Sequence, residues 1–240
     1  MWDLPHPVSS QGGVGRILNS DGGKARVRIW DGPTRLSHGL IVILVAALWW
    51  TGETDQLDLH RDAGSILLGV VIFRLIWGFI GASTARFSDF MRGPRAIASY
   101  VGDLIRGQTD RAVVGHNPLG GWSVVGMLAL LAAELTLGLF TVDVDGAQPG
   151  PLAKFISFDQ GRTMAQWHQW VFNGLLALIG LHLAAVVFYA VIKRDNLVGP
   201  MISGARRQAG DVAPMTPAPW WRLAVAVAAA GVLAALIVRG

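Results

Sequence analysis

Six histidines carry most of the chemical potential of this 240-residue sequence, which has no cysteine. Four of them, His38, His60, His168 and His182, fall within or at the ends of long apolar stretches. An ionisable side chain is costly in hydrocarbon, so each asks for a partner. His168 and His182 are fourteen residues apart. At ~100° and ~1.5 Å per residue, a helix returns both rings to nearly one face, about 21 Å apart. Two chemistries suit such rings. They can hydrogen-bond between helices, or they can face other histidines across a bundle and ligate haem iron as bis-imidazole pairs. A zinc or di-metal site fits less well, because carboxylates in Glu-x-x-His spacing are missing and the two levels lie too far apart.

The elements that must position these rings are apolar runs. Five are long enough to cross about 30 Å of hydrocarbon as helices: Thr34 to Gly52, Leu59 to Gly81, Leu119 to Thr141, Met164 to Ile192 and Trp220 to Val238. They are continuous rather than alternating, which argues against a β-barrel. Lys24, Arg26, Arg28 and Arg35 precede or open the first run. Arg86, Arg92, Arg95, Arg106 and Arg111 join the second to the third, and Lys193, Arg194, Arg206 and Arg207 join the fourth to the fifth. The opposite side carries Arg61, Lys154, Arg162 and Arg239 among Glu53, Asp55, Asp58, Asp143, Asp145 and Asp159. The positive-inside rule then predicts a multi-pass membrane protein with the N-terminus cytoplasmic and the C-terminus on the outer side. Trp49, Trp50, Trp167 and Trp170 mark the outer interface; Trp77, Trp122, Trp220 and Trp221 mark the inner one. With this topology His38 and His182 share the inner level, and His60 and His168 share the outer level. Gly64, Gly174 and Gly180 leave room beside them for flat macrocycles.

Composition supports the membrane class. Hydrophobic residues make up 52% and charged residues 15%, where a soluble domain carries roughly a quarter charged. Mean hydropathy is +0.45. The net charge of +4 sits in loops between apolar runs and reads as topology, not as nucleic-acid binding. The missing cysteine excludes disulfides, iron–sulfur clusters, thiolate zinc and covalent c-type haem. Residues 1–29 read as a flexible cytoplasmic tail containing the solvated His6. Residues 30–195 read as a four-helix domain, with an amphipathic segment near Ala98–Gly107 at the inner surface. Residues 196–218 read as an irregular Pro- and Gly-rich linker, and 219–240 as a lone fifth transmembrane helix.

RLSH at 35–38, HRDAG at 60–64, WHQWVFNGLLALIGLH at 167–182 and KRDN at 193–196 resemble the bacterial cytochrome b561 family. They also resemble the related di-haem b subunits of nickel–iron hydrogenases, formate dehydrogenases and thiosulfate reductases. The resemblance covers residues 30 to 200. It implies an all-α four-helix transmembrane bundle holding two haem b groups, one on His60 and His168 and one on His38 and His182, with the fifth helix added. It implies electron transfer between the quinone pool and a periplasmic c-type cytochrome or other redox protein. GHNPLGGW at 115–122 looks more like the hydrogenase and thiosulfate-reductase side, which implies membership of a larger complex.

Several residues then acquire two readings. Arg74, fourteen residues after His60, reaches the inner level; it pairs with a haem propionate or snorkels to lipid headgroups. His116 meets a propionate or quinone, or stabilises its turn. Arg35 and Ser37 flank His38 and either bond a propionate or quinone oxygen or, for Arg35, simply follow the positive-inside bias. Glu134, deep in the third run, accepts from a ligating imidazole, relays protons, or pairs with Thr136 or a neighbouring helix. Three functions remain: a free-standing transmembrane cytochrome with quinone oxidoreductase activity, an anchor and relay subunit of a larger dehydrogenase or reductase, and a haem-free scaffold.

Overall fold

The structure, a computed structural model, describes residues 24–108, 115–146, 148–209 and 213–239. His6 and most of the expected N-terminal tail lie outside the described residues. Among the described residues, five helices are long and apolar enough to cross a membrane: α1 (Gly32–Glu53), α2 (Leu57–Ile80), α5 (Pro118–Leu139), α6 (Phe158–Val191) and α8 (Trp220–Arg239). Two short helices, α3 (Phe87–Phe90) and α4 (Pro94–Ile105), join α2 to α5.

Local chemistry fixes where the long helices start. Asp31 caps α1 by accepting from Thr34 N at 2.8 Å, with proline in the first turn. Asn117 does the same for α5 through Gly120 N at 2.7 Å. Helix α6 begins six residues before the expected Met164, because Ser157 and Gln160 form a reciprocal capping box. Such a box satisfies two otherwise orphaned N–H groups.

Helix α1 packs on α2, α5 on α6, and α2 on α5. The four meet in a core of Leu67, Val71, Leu131 and Leu175, flanked by Ile41, Leu44, Leu48, Phe172 and Ile179. The outward faces stay apolar: Ile43, Phe79, Leu181 and Val232 are each more than half exposed. In water such a surface would aggregate; against lipid tails it is the expected exterior.

Four expectations need correction. Residues 24–28 are not part of a loose tail: they form β1 (Lys24–Arg28), which pairs antiparallel with β2 (Ala205–Ala209), Arg26 opposite Arg207. The linker is therefore not irregular. It contains α7 (Val198–Ser203), then Gly204 at φ +78°, a left-handed turn that favours glycine. The Gly204 carbonyl accepts from Ile29 N and Trp30 N. Arg28 O accepts from Met215 N, and Ser83 N donates to Thr216 O, so the later linker is strapped down as well. Nor is the fifth helix alone. It lies along α2, where Trp77, Ala85 and Ala226 form a second buried cluster. Trp77 consequently differs from the other marked tryptophans: only 2% exposed, it donates from Nε1 to Asp31 Oδ2 at 2.8 Å and is no interface anchor.

Candidate functional site

The His60–His168 level is assembled by all four core helices. His60 stands in the first turn of α2, and the end of α1 turns back beside it. Its Nδ1 lies 3.0 Å from the Leu48 carbonyl and 3.2 Å from Thr51 Oγ1. His168 on α6 faces α5, with Nδ1 3.0 Å from the Glu134 carbonyl and 3.2 Å from Glu134 Oε1. A carbonyl can only accept, so both Nδ1 atoms carry the proton and both Nε2 lone pairs are left free. This is how ligating histidines are usually fixed in tautomer and orientation. The two ring centroids are 6.2 Å apart with planes at 79°. Two metal–imidazole bonds of about 2 Å each, with the half-widths of the two rings, span a similar distance.

The rings line a cavity of about 470 Å³. Its walls include Leu67, Leu131, Leu135, Phe172 and Leu175, with Gly64 and Gly138 among them. A Cβ on Gly138 would lie 3.2 Å from His168 Cε1, and one on Gly52 3.5 Å from His60 Cε1. Glycine at 138 thus lets the His168 ring lie against neighbouring backbone. A Cβ on Gly174 or Gly180 would meet nothing within 4 Å.

At the other level, His38 lies within electrostatic reach of His182 and Arg74. His38 is exposed and His182 half-buried. Arg74 is 5% exposed, its Nη1 has no hydrogen-bond partner, and its guanidinium lies 5.8 Å over the Phe87 ring. His116 is wedged between Trp30 and Phe90, both ring centroids at 4.6 Å. Burial, with the nearby Arg74 and His182, pushes its imidazole down to about 3, and its Nδ1 is also unpartnered. Two orphaned buried nitrogens, one cationic, suit the carboxylate of a bound group better than an apolar one. Arg35 donates from Nε and Nη2 to the Met201 and Ile202 carbonyls of α7. Ser37 donates to Thr34 O.

Other partners had no signal in the sequence. Thr51 and the Leu48 carbonyl depend on how the α1–α2 turn closes. Tyr100 and Tyr189 meet through their hydroxyls, and Asn117 Nδ2 donates to Tyr189 Oη at 3.1 Å, tying α4, α5 and α6 together. Burial and these contacts push the Tyr100 phenol upward. Glu134 was visible in the sequence, but its partner is His168 and not Thr136, whose hydroxyl donates to Ala132 O.

Among the described residues, no three His, Asp or Glu side chains gather into a metal cage; the His60 and His168 rings instead face each other as a pair, which is the number of imidazoles a bis-histidine haem site takes. Compared with known proteins, residues 29–204 match the family described as prokaryotic cytochrome b561. The chain belongs to the prokaryotic cytochrome b561 family. The match spans β1's last neighbour through α7 and stops before β2 and α8. This b561 protein is similar to a probable Ni/Fe-hydrogenase B-type cytochrome subunit of Bradyrhizobium diazoefficiens, 20% identical over 246 residues, covering 86% of this chain and 99% of the relative. No solved structure gives a significant match. The b561 protein is thus a multi-pass membrane b-type cytochrome of electron transfer, and the family implies haem b as its cofactor.

Proposed function

We propose that this b561 cytochrome carries two haem b groups and moves electrons across the bacterial inner membrane between a redox protein on the outer face and quinone on the inner. The observation that carries the reading is the His60–His168 pair, its rings 6.2 Å apart and both Nδ1 atoms occupied by oxygen partners. His38 and His182 are the ligands of the second haem. Arg74 Nη1 and His116 Nδ1, both buried and unpartnered, hold a propionate of that haem. Haem held by these histidines would supply one-electron chemistry. The protein contributes orientation, a low-dielectric surround and fixed charge. Arg35, with Nε and Nη2 bound to α7, offers its remaining nitrogen to a propionate or quinone oxygen near His38. The cationic loops belong on the cytoplasmic side.

Similarity to a hydrogenase cytochrome subunit over nearly its whole length favours a second, compatible reading, in which the chain is the anchor and relay of a larger complex. The primary test is a reduced-minus-oxidised spectrum of the purified protein with haem quantified per chain. Two b haems are expected, and His60→Ala, His168→Ala, His38→Ala and His182→Ala should each lose one. A ratio clearly below two, or loss on His116→Ala but not on His38→Ala, rejects the ligand set. Co-purification in mild detergent separates the free-standing cytochrome from the complex subunit.

A further inference from the structure

We propose that the open face of the β1–β2 ribbon binds anionic phospholipid of the bilayer the chain spans, with Arg26, Arg28 and Arg207 holding the headgroup phosphates. This role is separate from the haem ligands. Strand residues alternate between faces, so Arg26 and Arg28 share one face of β1 and Val27 takes the other. The Val27 face is closed: Val27 is buried, and its cross-strand partner Arg206 is ion-paired with Asp195. On the open face Arg26 stands directly opposite Arg207, and Arg26, Arg28 and Arg207 are all exposed. Opposed residues of an antiparallel pair hold their Cβ atoms about 5 Å apart, and like charges there repel. Among the described residues, neither Arg26 nor Arg28 forms an ion pair; the carboxylates that do are Asp58, Asp89, Asp103, Glu134 and Asp195. Two guanidiniums opposed in this way are relieved by an anion between them. Phosphate suits the geometry, because its oxygens accept paired N–H bonds from arginine.

The place of the ribbon in the fold selects lipid as the source of that phosphate. Three residues, 29–31, separate β1 from the membrane helix α1, a reach of at most about 14 Å. Basic groups this near a bilayer feel the surface charge of anionic lipid, which fades over a Debye length of about 10 Å. The other strand is anchored to the same level. Gly204 joins α7 to β2, and its carbonyl accepts from Ile29 N and Trp30 N. Arg35, in the first turn of α1, donates to the Met201 and Ile202 carbonyls and so seats α7 beside the start of that helix. Leu36 on α1, with Val198 and Ile202 on α7, is more than half exposed, as both of those are. The apolar exterior of α1 thus continues onto α7, next to the arginines. Apolar side chains beside a row of cations match the acyl chains and phosphate of one anionic lipid. An acidic protein docking from the aqueous side would use the cations alone.

The experiment counts lipid kept by the full chain. The protein is reconstituted in phosphatidylcholine vesicles containing a minor fraction of phosphatidylglycerol, extracted again in mild detergent, and its retained lipids are counted by native mass spectrometry. Wild type should keep phosphatidylglycerol in preference to phosphatidylcholine. The triple variant Arg26→Gln, Arg28→Gln and Arg207→Gln should lose that preference by about fivefold or more, the effect of at least one surface cation, with retained phosphatidylcholine unchanged. Lysine at the same three positions keeps the charge and should keep most of the preference. Arg92→Gln, Arg95→Gln and Arg106→Gln remove as many cations from the α2–α5 connection and should change it less. Equal preference in wild type and the ribbon variant overturns the proposal and returns this face to an acidic protein. An equal loss in both triple variants also overturns it, because bulk charge then suffices without a built surface. Where the ribbon variant loses its fold, as read by thermal unfolding, a headgroup-photoreactive phosphatidylglycerol decides on wild type. Labelling of β1 and β2 supports the platform, and labelling confined to other segments overturns it.

Discussion

At the residue scale, the cost of burying polar nitrogen should be measurable. His116 is held below its ordinary value, pushed down to about 3 by burial and the nearby positive groups. The unfolded chain takes up its proton near 6.5 while the folded chain does not. The unfolded state then binds more protons between those two values, so stability falls as pH drops from about 6.5 towards 3, by at most about 1.4 kcal/mol per pH unit. Above 6.5 the contribution is fully present. Thermal unfolding of the protein across pH should show this acid arm, and His116→Phe should flatten it. Arg74 gives a second prediction at this scale. Arg74→Gln should reduce retention of the His38–His182 haem and leave the other unchanged, read as haem per chain and as separate midpoints. An unchanged haem content would return Arg74 to a role with lipid or with Asp31. That His60 and His168 face each other was legible in the sequence because helix rise fixes depth. The Nδ1 partners were not, because backbone carbonyls carry no residue signature.

At the element scale, the helices were legible because apolar runs of membrane length have few alternatives in lipid. The largest shift of a start, at α6, comes from the earlier cap that Ser157 supplies. The β1–β2 ribbon was hidden for a physical reason. Each strand has five residues, and the partners stand at opposite ends of the core domain, Arg26 facing Arg207. No local pattern announces a pairing that only the packed bundle brings together. The junction of α2 with α3 shows how such packing reaches the site. A Cβ on Gly78 would lie 2.1 Å from Phe87 Cε2. Phe87 packs edge-on to Phe79 and Phe90, and its ring lies under Arg74. Gly78→Ala should displace Phe87 and destabilise the protein by about 1–3 kcal/mol, as overpacking does. Thermal unfolding checks the stability. The spectrum should show the His38–His182 haem disturbed and the His60–His168 haem intact, because only the former lies near Arg74.

At the scale of the whole molecule, α8 is coupled to the site through one buried ring. Ala226 on α8 is fully buried against the cluster containing Trp77. Trp77 donates to Asp31 Oδ2, and Asp31 Oδ1 caps α1 through Thr34 N. The negative charge of Asp31 also acts on Arg74. A helix outside the four-helix core thus holds the residue that fixes the start of α1, seven residues before His38. Removing residues 213–240 strips the apolar cover from Trp77 and breaks the Met215–Arg28 backbone bond. The expected result is selective: the His60–His168 haem persists, while the His38–His182 haem binds less completely or shifts its midpoint. Ala226→Leu tests the same coupling without deletion, because a larger side chain at a fully buried position must push Trp77 aside. If both variants keep two haems at wild-type midpoints, α8 is separable from the cytochrome and its packing on α2 serves stability alone. A selective loss instead makes the fifth helix part of the machinery that sets one haem apart from the other.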